Sequence, residues 1–455
     1  MTDPTRDEML ALLDEMAPQD SSKTPGFEYV QDNPDDTKIL HLSAPSLVTL
    51  SNKIRGVVDT NNNKQIDEIP IKRNTKFRQA FLYQNVSDLA LTTQKWLKTY
   101  QQSTIGPSTE KKSKLCFIIT CQGTHYPSMG LKLYSYSSLF RQHFNTCAKI
   151  VKTEYDVDIK QFLEDRSESP DWMNFPRKFL PYLLAVQYGL FKQWEAWGIV
   201  PDYVLGLSFG EYGAAAMAGI LTLEEAFKLI MTRVELMTKF IKEEAMCVGM
   251  MDRKTMEKML EEAKKEVGED IKLEIAGLNS PLQTCLVGSM KWASYFAEIC
   301  TKNGIKSHLV PYHPYHSSLT EPILPEFLKT TSSVKYEKAK CKFISTVDCK
   351  LKGTLDSTYF LDHLKNAANF MGGIETALGE GITHFLEIGP HPIQLQMIRD
   401  ILDNNDPTYK EKDYMFFTSL RRMLDDKVCL LDTLGRLYSI GHDVDWKEVE
   451  KVFPA

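Results

Sequence analysis

The sequence lacks the cysteine pattern and the charge excess that mark several classes of protein. Its nine cysteines are scattered over 455 residues, and no two of them form a C-x-x-C pair. Scattered thiols in a long chain are typical of reduced, intracellular proteins, so we expect no disulfide framework. The net charge of −6 provides no basic field that could bind nucleic acid or an anionic membrane surface.

Long apolar runs and targeting signals are also missing. No stretch of about 18 apolar residues exists, so the sequence predicts no transmembrane helix. The acidic start, Met1-Thr-Asp-Pro-Thr-Arg6, has neither the basic and apolar parts of a secretory signal nor the Arg-rich character of a mitochondrial transit peptide. We therefore expect a cytoplasmic protein, and the start at Met1 favours a chain that is complete as given.

What the sequence does contain is an alternation of apolar strands and amphipathic helices, which is typical of an α/β fold with a parallel sheet. Residues 115–120, 203–207 and 383–388 are apolar runs that predict buried parallel strands. The predicted parts of the chain are a flexible segment (1–36), a small N-terminal α/β unit (37–110), a hydrolase-like core (111–245 and 312–413), an inserted lid (246–311) and a C-terminal segment (414–455).

The lid has a different order of predicted strands and helices from the core. Its periodicity predicts strands at residues 246–251, 272–278, 283–287 and 305–310, and helices at 253–265 and 291–302. The resulting order, βαββαβ, is the ferredoxin-like pattern. We therefore predict a ferredoxin-like subdomain inserted into the core.

A nucleophile elbow is predicted at Gly206-Leu-Ser208-Phe-Gly210, which has the form G-x-S-x-G between a strand and an Ala-rich helix. The turn is too tight for side chains on both flanks, which explains the two glycines. It leaves the Ser208 hydroxyl at the helix N-terminus, where backbone N–H groups can stabilise an oxyanion. The alternative is a strand-to-helix turn without activity, because the pattern alone also arises by chance.

A serine nucleophile needs a base, and two histidines follow the lid where the chain returns to the core, His313 and His316. A metal triad of these two with His308 is disfavoured because no acidic partner lies nearby, so we predict no metal site. Arg233 lies in a predicted helix with mostly apolar neighbours. Its guanidinium group either pairs with a protein carboxylate or holds a substrate carboxylate with two hydrogen bonds.

Together these segments resemble the malonyl-CoA:acyl-carrier-protein acyltransferase family, and most closely the acyltransferase domains of polyketide synthases and animal-type fatty acid synthases. Residues 185–211 match the family's elbow region nearly position by position. The other matching segments, in the family's order, are Gln122-Gly123 with Met129-Gly130, Asn279-Ser-Pro281, His313-Pro-Tyr-His316 and Glu387-Ile-Gly-Pro-His-Pro392.

The resemblance implies a ping-pong transfer through an acyl-enzyme. Ser208 would attack the malonyl thioester of coenzyme A while His316 accepts its proton. The backbone N–H groups of Gln122 and Phe209 would hold the oxyanion, each worth about 3–4 kcal/mol in comparable sites. Arg233 would bind the malonyl carboxylate until the phosphopantetheine thiol of an acyl carrier protein attacks.

The resemblance also assigns supporting roles. The main-chain carbonyl of His363 is expected to orient the catalytic histidine in place of an Asp, and no metal or cofactor is required besides the thioester substrate. Tyr315 is bulky at a position where the family closes the space of an α-methyl group, so malonyl is favoured over methylmalonyl by about 1–3 kcal/mol at most. The residues expected to line the substrate site are Leu207, Asn279, His313 and Tyr315.

Three residues depart from the family pattern and keep two alternatives open. Leu207 replaces the His that usually precedes the nucleophile, Cys121 replaces a Gly, and His125 replaces a Gln. These departures suggest a catalytically degenerate module that only docks a carrier protein. A serine esterase or patatin-like lipase would share G-x-S-x-G, but it would need an Asp partner and no Arg233, and the lid pattern argues against it.

The resemblance extends to both flanks of the core. Residues 38–100 resemble the linker that joins a ketosynthase to its acyltransferase, and residues 414–447 resemble the linker that follows the acyltransferase. These flanks favour an ancestry within a synthase. The implied partners are an acyl carrier protein, malonyl-CoA and a ketosynthase or megasynthase, with neither nucleic acid nor membrane.

Overall fold

A small α/β unit precedes the core. The structure, a computed structural model, describes residues 34–60, 77–100, 113–167, 170–240, 244–268, 271–310, 315–405 and 414–454. After a 3-10 turn (Pro34–Asp36), the unit consists of antiparallel strands β1 (Lys38–Ala44) and β2 (Phe77–Tyr83) and helices α1 (Leu47–Thr60) and α2 (Val86–Tyr100). Trp96 lies in its apolar centre and donates to Gln79 Oε1 at 2.8 Å, so the indole N–H is satisfied on burial.

The first half of the core begins with a fully buried strand, as expected in the interior of a parallel sheet. Ser137 caps the second helix after it by accepting a hydrogen bond from the N–H of Phe140. The elements in order are β3 (Leu115–Ile119), α3 (Leu131–Tyr136), α4 (Ser138–Tyr155), α5 (Lys160–Glu164), a 3-10 turn (Asp171–Asn174), α6 (Pro176–Ala196), β4 (Tyr203–Gly206), α7 (Gly210–Met217) and α8 (Leu223–Phe240).

The lid follows α8. Asp252 and Ser289 cap its two helices with their side-chain oxygens. Its elements are β5 (Glu244–Gly249), α9 (Arg253–Val267), β6 (Leu273–Ser280), β7 (Gln283–Ser289), α10 (Met290–Lys302) and β8 (Ser307–Val310). These four strands are antiparallel neighbours in the order β6-β7-β5-β8, which is a ferredoxin-like sheet.

The second half of the core completes both sheets. Its elements are a 3-10 turn (Ser318–Ile323), α11 (Leu324–Ser332), β9 (Lys342–Ile344), β10 (Leu351–Lys352), α12 (Tyr359–Lys365), β11 (Ala368–Asn369), α13 (Phe370–Gly379), β12 (His384–Ile388), α14 (Gln394–Asn405), β13 (Met415–Thr418), α15 (Asp426–Ser439) and α16 (Trp446–Glu450). The short β11 pairs in parallel with β6 and so joins the lid sheet to the core.

The core sheet has the order β10-β9-β4-β3-β12-β13. All neighbouring pairs are parallel except β10 with β9, so the carboxyl ends of β4, β3 and β12 lie at one edge. Ligand sites in parallel sheets form at this edge. Residues 415–418, which we predicted to lie in the C-terminal segment, are the edge strand β13.

The flanking segments pack on each other. Arg78 of β2 donates to the carbonyl of His442 at 3.2 Å and forms an ion pair with Asp443 at 2.8 Å. The N–H of Ala80 donates to Ser439 Oγ of α15 at 3.1 Å. The N-terminal α/β unit is therefore held against the C-terminal segment by buried hydrogen bonds as well as by apolar packing.

The predicted fold class, an α/β core with an inserted ferredoxin-like subdomain and a small N-terminal α/β unit, is confirmed. The boundaries between the predicted parts of the chain stay predictions. Most of the segment predicted to be flexible (1–36) lies outside the described residues. Within the part of the chain that the structure covers, no helix is both long and apolar enough to span a membrane.

A buried carboxylate joins the end of β12 to the start of α14. Glu387 Oε1 accepts the N–H groups of Ile393 and Gln394, at 3.0 and 3.1 Å, and Oε2 accepts that of Leu395 at 3.1 Å. Burial raises the pKa of Glu387 to about 7, although the three N–H donors act in the opposite direction. The side chain thus satisfies the first N–H groups of a helix that would otherwise be unpaired.

We expect Glu387→Gln to destabilise the fold at pH 8, where the carboxylate is ionised. The amide of Gln has one oxygen, so its NH₂ group must face a backbone N–H that has lost its acceptor. The loss is about 1–3 kcal/mol and lowers the melting temperature in a thermal unfolding experiment. The same change at the exposed Glu298 is the control, and equal melting temperatures for the two variants would contradict the capping role.

Candidate active site

The predicted nucleophile lies in a strained turn between β4 and α7. A Cβ atom on Gly206 would lie 2.2 Å from the carbonyl carbon of Gly210, and one on Gly210 would lie 2.3 Å from the carbonyl oxygen of Ile119. Only glycine fits at both positions. Ser208 between them has φ of 54°, the left-handed conformation typical of a nucleophile elbow.

The predicted base is in contact with the predicted nucleophile. Ser208 Oγ and His316 Nε2 are 2.6 Å apart, and His316 Nδ1 donates to the carbonyl oxygen of His363 at 2.7 Å. The structure therefore brings together three residues that are far apart in sequence. A main-chain carbonyl takes the place that a carboxylate occupies in a Ser-His-Asp triad.

Burial keeps the base neutral. His316 is 3% exposed, and burial lowers its pKa to about 4, with the nearby charge of Arg233 acting in the same direction. A neutral imidazole with a proton on Nδ1 has a free lone pair on Nε2. It can therefore accept the proton of Ser208 throughout the neutral pH range.

The predicted oxyanion donors follow neighbouring parallel strands. Gln122 comes after β3 and Phe209 after β4, and Ile119 of β3 is opposite Gly206 of β4. In the described part of the chain, neither N–H donates to a backbone carbonyl. Both groups are thus available at the edge of the sheet where Ser208 lies, and their role stays a prediction.

Arg233 of α8 is fully buried, and no carboxylate in the described ranges forms an ion pair with it. Its guanidinium carbon lies 4.3 Å from the ring centre of Tyr315 and 4.8 Å from that of Tyr212. Among the described residues, none of its three nitrogens makes a hydrogen bond. A buried unpaired cation is costly, and the two tyrosine rings offset only part of this cost. A guanidinium buried in this way can hold a carboxylate with two hydrogen bonds, and the role of Arg233 in substrate binding stays a prediction.

A hydrogen-bond network behind the elbow was not apparent in the sequence. The fully buried Glu211 accepts from the Thr346 hydroxyl and the Tyr359 hydroxyl, both at 2.8 Å. Its carboxylate also lies 3.7 Å from His363 Nε2, which donates to the carbonyl oxygen of Ser208 at 3.0 Å. Burial raises the pKa of Glu211 to about 7. Its place directly after the elbow glycine was the one available signal.

The other predicted substrate residues have varied positions. Leu207 and Tyr315 are buried beside the dyad, whereas His313 lies outside the described residues. Asn279 donates to Gln283 Oε1 at 2.7 Å within the lid, so its side chain is already engaged there. Their substrate roles stay predictions.

Two of the three unusual residues lie in the loop after β3. The His125 ring stacks on Phe179 at 4.1 Å, and Cys121 is half-buried with a thiol pKa that burial raises to about 12. Cys121 is therefore a thiol at neutral pH and a poor nucleophile. No group of three or more His, Cys, Asp or Glu side chains within the described ranges is placed to hold a metal ion.

A serine–histidine dyad on a parallel α/β core is typical of enzymes that move acyl groups through a serine ester. Comparison with known families agrees with this class. The model of the acyl transferase domain family matches residues 116–443, and the chain therefore belongs to this family.

Known relatives come from polyketide synthases. The conidial pigment polyketide synthase PfmaE of Pestalotiopsis fici is 26% identical over 454 residues, which are 95% of this chain and 20% of that synthase. The chain thus spans about a fifth of the length of this curated relative. It contains an acyl transferase domain like those of polyketide synthases.

Solved structures share the fold. The acyltransferase domain from module 8 of the salinomycin polyketide synthase has a TM-score of 0.75 at 21% identity, over 91% of this chain and 98% of that one. A malonyl-transacylase in complex with a type II polyketide synthase acyl-carrier protein has a TM-score of 0.59 at 19% identity, over 70% of this chain and 99% of that one.

The low pKa of His316 predicts an acylation rate that does not fall in mild acid. A histidine with the ordinary pKa of 6.5 would be about one-tenth neutral at pH 5.5, and the rate would fall about tenfold from pH 8. With a pKa of about 4, His316 stays almost fully neutral at pH 5.5. Rapid-quench measurement of acyl-enzyme formation between pH 5 and 8 checks this expectation.

Glu211 protonates within the same range and could itself alter the rate. The Glu211→Gln variant removes this second titration. A tenfold fall at pH 5.5 that persists in Glu211→Gln, while circular dichroism shows an intact fold, would contradict the low pKa of His316.

Proposed function

We propose that the protein transfers a malonyl group from coenzyme A to the phosphopantetheine thiol of an acyl carrier protein through an ester on Ser208. The observation that carries this proposal is the buried guanidinium of Arg233, which has no hydrogen-bond partner among the residues that the structure describes and lies near the Ser208–His316 dyad. A malonyl thioester has both groups that such a site requires, a reactive carbonyl and a terminal carboxylate. The structural neighbour described as a malonyl-transacylase supports the same substrate class.

Acylation begins when His316 Nε2 accepts the proton of Ser208 and Oγ attacks the thioester carbonyl. The backbone N–H groups of Gln122 and Phe209 hold the oxyanion. Collapse of the tetrahedral intermediate breaks the C–S bond, and the proton on His316 passes to the sulfur of coenzyme A. Arg233 keeps the malonyl carboxylate in place during both steps.

Transfer to the carrier protein reverses this sequence. The carrier thiol gives its proton to His316, and the thiolate attacks the ester carbonyl. The tetrahedral intermediate then expels Ser208, which regains its proton from His316. Each half-reaction uses the same base and the same oxyanion donors, so the enzyme returns to its starting state.

The bulk of Tyr315 favours an unbranched malonyl group. Tyr315 is 1% exposed and its ring lies against the guanidinium of Arg233, next to His316 in sequence. A methyl group on the malonyl α-carbon would compete with this ring for space. One methyl group changes specificity by about 1–3 kcal/mol, so we expect a preference for malonyl over methylmalonyl that is not absolute.

The two alternative functions fit the geometry less well. A serine esterase would be expected to pair its histidine with a carboxylate, whereas His316 Nδ1 donates to a carbonyl. A degenerate docking module would have no need for a nucleophile and a base 2.6 Å apart. Leu207 removes a polar side chain from the floor of the site, but the dyad does not depend on it.

Incubation with malonyl-CoA is expected to add one malonyl group to Ser208. Intact-protein and peptide mass spectrometry detect this adduct, and a holo acyl carrier protein then removes it. Ser208→Ala is the control, because it lacks the hydroxyl and should stay unlabelled. Labelling of the alanine variant to the same extent, or no adduct on the wild type, would contradict the proposed function.

Arg233→Met is expected to shift specificity from malonyl to acetyl and to stabilise the fold. The methionine keeps an unbranched apolar chain but cannot pair with a carboxylate. We expect kcat/KM for malonyl-CoA to fall about 100-fold, while that for acetyl-CoA is unchanged or higher. Removal of an unpaired buried charge should also raise the melting temperature.

Arg233→Lys separates charge from geometry. Lysine keeps the positive charge but lacks the planar fork, so we expect an intermediate loss with malonyl-CoA. An Arg233→Met variant whose ratio of malonyl to acetyl transfer equals that of the wild type would remove Arg233 from the carboxylate site.

A further inference from the structure

His363 contacts both members of the dyad, through different atoms. Its main-chain carbonyl accepts from His316 Nδ1 at 2.7 Å, and its side-chain Nε2 lies 3.0 Å from the carbonyl oxygen of Ser208. The residue is 1% exposed and lies on α12, far from both partners in sequence. The family resemblance implies a role only for the carbonyl and says nothing about the imidazole ring.

The position of the proton on this ring follows from its surroundings. Burial and the neighbouring His316 and Arg233 hold the pKa of His363 well below its ordinary value, so the ring is neutral and has one N–H. Nε2 faces two oxygen atoms, the Ser208 carbonyl and a carboxylate oxygen of Glu211 at 3.7 Å. Nδ1 has no hydrogen-bond partner among the described residues. The proton therefore lies on Nε2, which donates to Ser208.

Both residues of the dyad have backbones that need external support. Ser208 and His316 have φ of 54° and 66°, which non-glycine residues rarely adopt. The Ser208 carbonyl receives a hydrogen bond from the N–H of Glu211 at 3.0 Å in addition to that from His363. Strained backbone persists at functional sites when surrounding contacts fix it, and His363 contacts both strained residues.

Glu211 lies at the same edge of the His363 ring as the Ser208 carbonyl, with a carboxylate oxygen 3.7 Å from Nε2. Its carboxylate is held by the hydroxyl groups of Thr346 and Tyr359, both at 2.8 Å, so it cannot move away from the ring. The ring of Tyr212 packs edge-on against His363 at 5.3 Å, and that of Phe360 lies at 6.0 Å. The imidazole is thus confined on several sides and has one orientation in which Nε2 meets the Ser208 carbonyl.

We propose that the imidazole of His363 is a positioning residue, whose Nε2–H holds the Ser208 backbone so that Oγ stays in hydrogen-bond contact with His316. This role rests on the proposed Ser208 chemistry but not on the identity of the acyl group. It differs from that of the His363 carbonyl, because every substitution at this position keeps the carbonyl. Side-chain variants therefore test the Nε2 contact alone.

His363→Gln and His363→Met form a matched pair for this test. The two side chains have the same length, and Gln places an amide N–H near the position of Nε2, whereas Met has no donor. We expect Met to lower the rate constant for acyl-enzyme formation about 10- to 100-fold, because small misplacement of a reacting group has an effect of this size. KM for malonyl-CoA should change by less than about twofold, since His363 does not touch the substrate. Gln should restore most of the rate.

A fluorophosphonate probe separates this inference from the proposed function. Such a probe phosphonylates an activated serine and expels fluoride, without using a malonyl carboxylate. We expect the Met variant to react slowly with the probe and the Gln variant to react nearly as fast as the wild type. If malonyl-CoA fails to load the wild type but the probe shows this order, the malonyl assignment is wrong and the positioning role stands.

Two results would overturn the positioning role. One is a Met variant that is acylated and phosphonylated at wild-type rates. The other is a Gln variant as slow as the Met variant while both melt at the same temperature, because the donor would then have no effect. Should His363→Met not fold, His363→Phe provides a second variant that keeps a ring and lacks the N–H, and the same two comparisons apply to it.

Discussion

The close approach of β4 to α7 is the constraint on which the rest of the site depends. The backbones of β4, α7 and the neighbouring β3 lie so close together that a Cβ atom fits neither at Gly206 nor at Gly210. In this turn Ser208 has a left-handed conformation, and its hydroxyl is in contact with His316 Nε2. The packed backbone thus fixes the position of Ser208, and His316 and the predicted oxyanion donors are arranged around it. Little reorganisation is therefore needed when negative charge develops on the oxygen of the attacked carbonyl.

The buried charge of Arg233 is a second constraint on the site. The protein carries a net charge of −6, yet the guanidinium group of Arg233 near the dyad is completely buried and has no anionic partner in the part of the chain that the structure describes. A carboxylate from the protein at Arg233 would remove the cost of burying the charge, but it would also fill the place of a substrate. The rings of Tyr212 and Tyr315 lie against the guanidinium and stabilise the cation. In the proposed function, the free-energy cost of burying this charge would be offset when an acidic substrate binds.

Features set by local sequence could be predicted, and features set by distant contacts could not. Three features depend on residues that are close in the chain: the apolar strand at 115–120, the elbow and the βαββαβ order of the lid. Their structures follow from periodicity and turn geometry. The partners of Glu211 are more than 100 residues away, and no pattern marks Thr346 or Tyr359. The two-residue β11 is too short to show any alternation, although it joins the lid to the core. The family resemblance pointed to the main-chain carbonyl of His363, but not to the contact between its imidazole ring and the Ser208 carbonyl.

His316 Nδ1 is bonded to a main-chain carbonyl and not to a carboxylate, which bears on the fate of the proposed acyl-enzyme. A carboxylate would stabilise the imidazolium and make the histidine a stronger base, whereas a buried ring on a carbonyl has a pKa of about 4. Such a weak base deprotonates a thiol, with a pKa of about 8.5, far more readily than water, with a pKa of about 15.7. The proposed malonyl ester on Ser208 would therefore react with a carrier thiol in preference to water. Because the same base also accepts the proton of the Ser208 hydroxyl, this selectivity would come from the acidity of the thiol and from the exclusion of solvent, and not from the strength of the base.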